Sequence, residues 1–201
     1  MNVRIRLDLP FGAGVYYIDR YHVNQYNLRL WITTNHMDPT VQNIALERVR
    51  HFVYREMDSS MFINSEHVEK CRQFANAGMN LTTLPCEPVD QIVGIMLYYK
   101  LNAIMEECMA VTETEISSTM GDNIVYLHSE EEEFSNIDYP DWWFNVDITH
   151  CDLNILDQEK VLSMPQHNAW RDLGLAWPDS NEEEESGNVV VFADFKNNET
   201  K

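Results

Sequence analysis

The stretch PVDQIVGIMLYYKLNAIMEEC, residues 88–108, decides the fold class of this chain. Glu87, Pro88 and Asp90 place acids and a proline where a helix begins, and the helix dipole favours negative charge at that end. Val89, Ile92, Val93, Ile95, Met96, Leu97, Leu101, Ile104, Met105 and Cys108 follow. Their apolar arc is too wide for a surface helix, so the spacing predicts a helix buried on most sides. Gly94 inside it points to a close crossing with another helix. Met96, Met105 and Met109 read as core filler.

Working outward, Met109 to Ser117 and Asn123 to Ser129 read as a hairpin, with Met120-Gly121-Asp122-Asn123 as its turn. Upstream, Ser65 to Ala77 reads as a helix capped by Ser65 and ended by Gly78. A further helix starts at Asp38-Pro39, where the aspartate caps free amides and the proline suits the first helical position. Its apolar stripe is Val41, Ile44, Ala45, Val49, Phe52 and Val53. Arg48 and Arg55 lie at one edge of that stripe; they suit an anion, but pairing with carboxylates or lying over apolar neighbours is the plainer reading.

The first 34 residues read as strands. Val3, Ile5, Leu7 and Leu9 alternate with Arg4, Arg6 and Asp8. Pro10 to Gly14 reads as a turn, and Val15–Val23 and Tyr26–Thr33 as two strands joined near Asn24. Towards the C-terminus, 155–162 and 166–173 suggest short helices and Val189–Phe192 a buried strand. The expected class is α+β: a mixed or antiparallel sheet packed with about three main helices, carrying an acidic C-terminal lobe. Residues 1–129 would form the α/β body and 130–201 the acidic, aromatic-rich lobe, unless the two are one continuous domain.

Charge divides the chain. Residues 1–100 hold ten acids and ten bases; residues 101–201 hold 23 acids and four bases, which accounts for the whole net charge of −19. Such a field repels bare nucleic acid and anionic lipid, and attracts basic protein surfaces. The plainer alternative is a well-solvated face. No apolar run is long enough to span a membrane, and the residues from Met1 to Pro10 lack the continuous apolar stretch of a secretory signal. Cys71, Cys86, Cys108 and Cys151 are widely and irregularly spaced, as expected of reduced thiols in a cytoplasm.

Three constellations bear on chemistry. Pro178-Asp179, then Asp194-Phe195-Lys196 after an apolar run, matches the PD…(D/E)-x-K pattern of metal-dependent nucleases. Asp179 and Asp194 would hold Mg or Mn while Lys196 activates water. The adjacent Glu182–Glu185 run opposes this by repelling phosphates, and a surface turn before an edge strand explains the same residues. Adjacent residues of His150-Cys151-Asp152 make a poor catalytic pair, so a partner such as His167, Asp147 or Asp157 would have to come from elsewhere, and the seven histidines show no metal-ligand spacing. Trp142-Trp143-Phe144, with Asp138, Asp141 and Glu130, Glu131, Glu132 and Glu133 nearby, reads either as a recognition anchor with an acidic rim or as the cap of a core beneath a loop.

The segments LTTLPCEPVDQIVGIMLYYKLNAIM (81–105) and GDNIVYL (121–127) resemble uncharacterised proteins of large tailed bacteriophages. The resemblance spans the middle quarter of the chain and implies a phage-encoded protein made in the bacterial host cytoplasm. It transfers no catalytic residue. The expected function is that of a non-enzymatic accessory protein, free of cofactors, whose acidic aromatic lobe docks on a basic surface of a host or viral nucleic-acid-handling protein. It would contact neither nucleic acid nor membrane directly. A metal-dependent nuclease and a virion or assembly component are the alternatives.

Overall fold

The computed structural model describes residues 4–129, 138–152 and 169–178. It is an α+β fold: a six-stranded mixed sheet in the order β4-β3-β1-β2-β5-β6, packed with three helices. The elements are β1 (Arg4–Tyr17), β2 (Arg20–Thr34), α1 (Pro39–His51), β3 (Met61–Asn64), α2 (Val68–Asn76), β4 (Leu81–Leu84), α3 (Asp90–Met105), β5 (Met109–Ser118) and β6 (Tyr126–Ser129).

β1 and β2 form one long hairpin, paired from Arg4↔Thr33 to Tyr17↔Arg20. Its turn is Ile18-Asp19, both in the left-handed region with φ of 48° and 56°, as a two-residue hairpin loop requires. The sequence places turns at Pro10–Gly14 and near Asn24, whereas both run straight through strands. Parity explains why Pro10 is tolerated. The amides of Gly12 and Gly14 donate away from β2, to Asp58 Oδ1 and the Ser60 carbonyl, both at 2.8 Å. Pro10 shares their parity, and β3 pairs only with Gly14 and Val15, so its missing donor falls where no strand needs one.

Asp38 caps α1, its side chain accepting from Thr40 N at 2.8 Å. α1 runs on into a π-helical turn, Phe52–Met57, before the chain enters β3. β3, α2 and β4 make a parallel unit that sequence alone does not reveal, because both four-residue strands are buried throughout and show no alternation. α2 starts at Val68 rather than at Ser65, since Asn64 Oδ1 takes the Glu66 amide in a local turn first. The outer side of β4 is occupied by residues 150–152: Thr83 N donates to the His150 carbonyl, and Asp152 N to Thr83 Oγ1.

The main core lies between one face of the sheet (Leu9, Phe11, Val15, Leu28, Leu30, Ile32) and α1 and α3. Trp142, Trp143, Ile148 and Trp170 belong to this same core, so the described parts of 130–201 pack into the body. Gly94 marks a close approach to the sheet and not to a helix: a Cβ there would stand 2.8 Å from Ile116 Cγ2 on β5. No helix among the described residues is long and apolar enough to cross a membrane.

Because that methyl is the short arm of a β-branched side chain on a paired strand, Gly94→Ala should cost stability despite its better helix propensity. The expected loss is about 1–3 kcal/mol by denaturant unfolding, and it should shrink in an Ile116→Ala background, where the opposing methyl is gone.

Candidate functional site

α3 carries Lys100 into the protein interior, where the residue is fully buried. Its ammonium donates to the carbonyls of Trp142 (3.1 Å), Asn145 (2.8 Å) and Asp147 (2.8 Å). These three bonds use every proton the group has. Asp147 Oδ1 stands 3.7 Å away as the partial counter-charge, and the rings of Phe52 and Trp142 flank the nitrogen at 5.7 and 5.8 Å. Burial pulls the Lys100 ammonium down to about 8, against the opposing pull of Asp147.

This clamp turns residues 140–147 over the end of the core. A 3₁₀ turn, Asp141–Phe144, drives Trp142 and Trp143 inward while Phe144 points out. The two indoles are therefore core residues and cannot be the exposed anchors of an interface; the reading in which they cap a core is the one the structure has. Trp143 is wholly buried, and Tyr99 of α3 stacks on it with ring centres 6.3 Å apart. Tyr99 also meets Tyr139 (5.1 Å) and Phe144 (5.3 Å), so the outermost ring rests on two half-buried tyrosines that pack on the buried Trp143. Phe144 is 53% exposed and Val146 46%. Asp138, Asp141 and Asp147 are exposed around them, and residues 138–152 contain four aspartates and no lysine or arginine. The patch is thus a small apolar centre with an acidic rim.

A second clamp holds residues 169–178. Arg48 of α1 donates to the Leu175 carbonyl (2.8 Å), the Ile104 carbonyl (3.1 Å) and Glu106 Oε1 (2.6 Å), with its guanidinium 3.9 Å from the ring centre of Trp177 and 5.1 Å from that of Trp170. Arg48 is committed to packing and pairing and is not open to an anion. Arg55 is exposed.

Of the other sequence candidates, Glu130, Glu131, Glu132, Glu133, Asp179, Asp194 and Lys196 lie outside the described residues, as do the strand expected at 189–192 and the helix expected at 155–162. Among the described residues, no group of three or more His, Cys, Asp or Glu is placed to hold a metal ion. His150 and Cys151 are buried; His150 donates from Nδ1 to the Leu81 carbonyl at 2.6 Å, and burial pushes the Cys151 thiol up to about 12. That thiol is a packing group and not a nucleophile. All four cysteines are free.

Replacing Lys100 with methionine should cost about 3–5 kcal/mol at neutral pH, since three inward-facing carbonyls lose their donor. The folded chain releases the Lys100 proton near pH 8, and the unfolded chain only near the ordinary 10.5. Stability contributed by this group therefore rises as pH climbs through that window. The gap between wild type and Lys100→Met, measured by urea unfolding at pH 7 and pH 10, should widen by about 1–3 kcal/mol.

No protein-family model matches the chain, and no curated protein matches it. Among solved structures, an uncharacterized protein from Wolinella succinogenes is similar over 65% of this chain and 99% of its own, at 10% identity and a TM-score of 0.49. A catalytic-residue mutant of Plasmodium vivax 6-pyruvoyltetrahydropterin synthase is similar over 64% of this chain and 97% of its own, at 9% identity and a TM-score of 0.39. The Plasmodium falciparum 6-pyruvoyl tetrahydropterin synthase gives 10% identity, coverages of 63% and 96%, and a TM-score of 0.37. Likeness at this level extends to neither substrate nor residue roles.

Proposed function

We propose that this chain is a phage-encoded, non-enzymatic docking protein of a bacterial cytoplasm, which meets a basic protein surface through the patch centred on Phe144. The single observation that supports this reading is the exposed Phe144 and Val146 pair, held on the half-buried Tyr99 and Tyr139 and accompanied by the exposed Asp138, Asp141 and Asp147. A preorganised aromatic ring buries area at low entropic cost, and the aspartates favour a cationic partner over an anionic one. The net charge of −19 steers the encounter over a longer range. Trp142 and Trp143 act as the pillars of the patch and make no contact with the partner.

The reading is tested by immobilising the full chain and passing bacterial lysate over it at about 0.05 M and about 0.5 M salt. A protein retained at low salt, released at high salt and held about tenfold less well by Phe144→Ala or by Asp138→Asn/Asp141→Asn is the expected result. Retention indifferent to salt and to these exposed substitutions would overturn it. Phe144, Asp138 and Asp141 are all exposed, and an unchanged urea unfolding midpoint in each variant separates lost docking from lost folding.

A further inference from the structure

The two ends of the sheet are finished differently. At one end, residues 150–152 run along the outer side of β4. The part of β1 that β3 leaves unpaired, Arg4–Pro10, is guarded by the exposed side chains of Arg4, Arg6 and Asp8, and by Pro10, which has no amide to offer. Charges and prolines are the ordinary means by which an open sheet edge avoids a stray strand.

At the other end lies β6, which among the described residues pairs with β5 alone. Its edge is unguarded. From Asn123 to Ser129 the chain has no proline, acid, lysine or arginine, and its one titratable imidazole, His128, is buried. Ile124, Val125, Tyr126 and Leu127 are all exposed, Leu127 to 60%. Four exposed apolar residues in a row, beside a line of open backbone donors and acceptors, form a template for one more strand. The surroundings select what kind of strand. Residues 101–129 hold five acids and no lysine or arginine. Glu113 and Glu115 already hold Arg4 and Arg29, but Asp122, in the turn before the edge, is exposed. The other end of the edge adjoins the docking patch: the His128 ring lies 4.6 Å from that of Tyr98 and 6.0 Å from that of Tyr99, and Tyr99 carries Phe144, accompanied by Asp138 and Asp141. A second copy of this chain would bring the same net charge of −19 to the edge, whereas a cationic segment is attracted to it.

We infer that β6 receives an extended, basic segment of the partner protein as an added strand, in which lysine or arginine alternates with β-branched residues. That the segment is basic rests on the docking reading; that β6 takes a strand rests on its open edge. Backbone bonds to β6 hold the segment, its apolar residues cover Val125 and Leu127, and its cations meet Asp122 and the aspartates beside Phe144.

The test uses the full chain and a blocked peptide of alternating lysine and valine. The controls are a glutamate–valine peptide of the same length and a lysine–valine peptide N-methylated at every residue, which keeps the charge and removes every donor. The readout is NMR shift and hydrogen exchange of the amides of residues 126–129. Those not bonded to β5 should exchange fast in the free chain, and the lysine–valine peptide should bind saturably and slow them about tenfold or more. Both controls should bind about tenfold or more weaker. Phe144→Ala should leave the slowing at β6 in place. Equal slowing by either control would overturn the inference, as would amides of β6 already slow in the free chain, whether a second copy or another part of this chain covers them. Peptide shifts confined to Phe144 and Val146 would overturn it too, while leaving the docking reading standing.

Discussion

An ammonium with no access to water must be met by fixed dipoles, or the chain that buries it will not fold around it. Lys100 is such a group, and its three carbonyl partners all belong to residues 142–147. One side chain of α3 thus fixes where a distant stretch of chain must lie. Once that stretch is fixed, the short 3₁₀ turn sends Trp142 and Trp143 into the core and leaves Phe144 outside. Desolvation opposes the arrangement, as the lowered proton affinity of Lys100 records; what offsets it is complete hydrogen bonding and the aromatic area buried alongside. Arg48 repeats the device for residues 169–178, with a guanidinium in place of an ammonium and two indoles as its walls. Two basic residues of the neutral half are thereby spent on holding the acidic half.

This division of labour gives the charge asymmetry a structural meaning. Lys100 and Arg48 lie inside, bonded to backbone carbonyls of the second half, while Asp138, Asp141 and Asp147 face outward. The outer surface keeps its negative field at the place where Phe144 is presented. On the opposite face of the sheet, away from the helices, charges are instead paired across strands: Arg29 bonds both Asp8 and Glu115 at 2.7 Å. Exposed pairs of this kind add little stability, but they leave that face locally neutral.

Elements whose signals are local and redundant were legible in the sequence. Asp38-Pro39 starts α1 as its cap chemistry demands, the apolar arc that begins at Val89 is a buried helix as far as Met105, and the Met120–Asn123 turn joins β5 to β6. Elements set by tertiary contacts were not. Pro10 and two glycines mimic a turn, yet strand parity makes them harmless within β1, while the true turn, Ile18-Asp19, has a β-branched residue and no glycine or asparagine to mark it. β3 and β4 are too short and too buried to alternate. For the candidate site, the residues of the patch were readable but their orientation was not: adjacent aromatic residues give no sign of which will face inward. Lys100 was missed because lysine is so seldom fully buried. A lone lysine inside an otherwise apolar helical arc was the one signal that pointed to the clamp.

Amide hydrogen exchange of wild type and Lys100→Met, read peptide by peptide at neutral pH, tests the clamp most directly. The account predicts a selective loss of protection across residues 139–149, where the Trp143 amide is bonded to the Pro140 carbonyl and the Thr149 amide to Asp147, while the β1–β2 hairpin stays protected. Unchanged protection over 139–149 in a folded Lys100→Met protein would contradict it, because the aromatic segment would then hold its place without the ammonium.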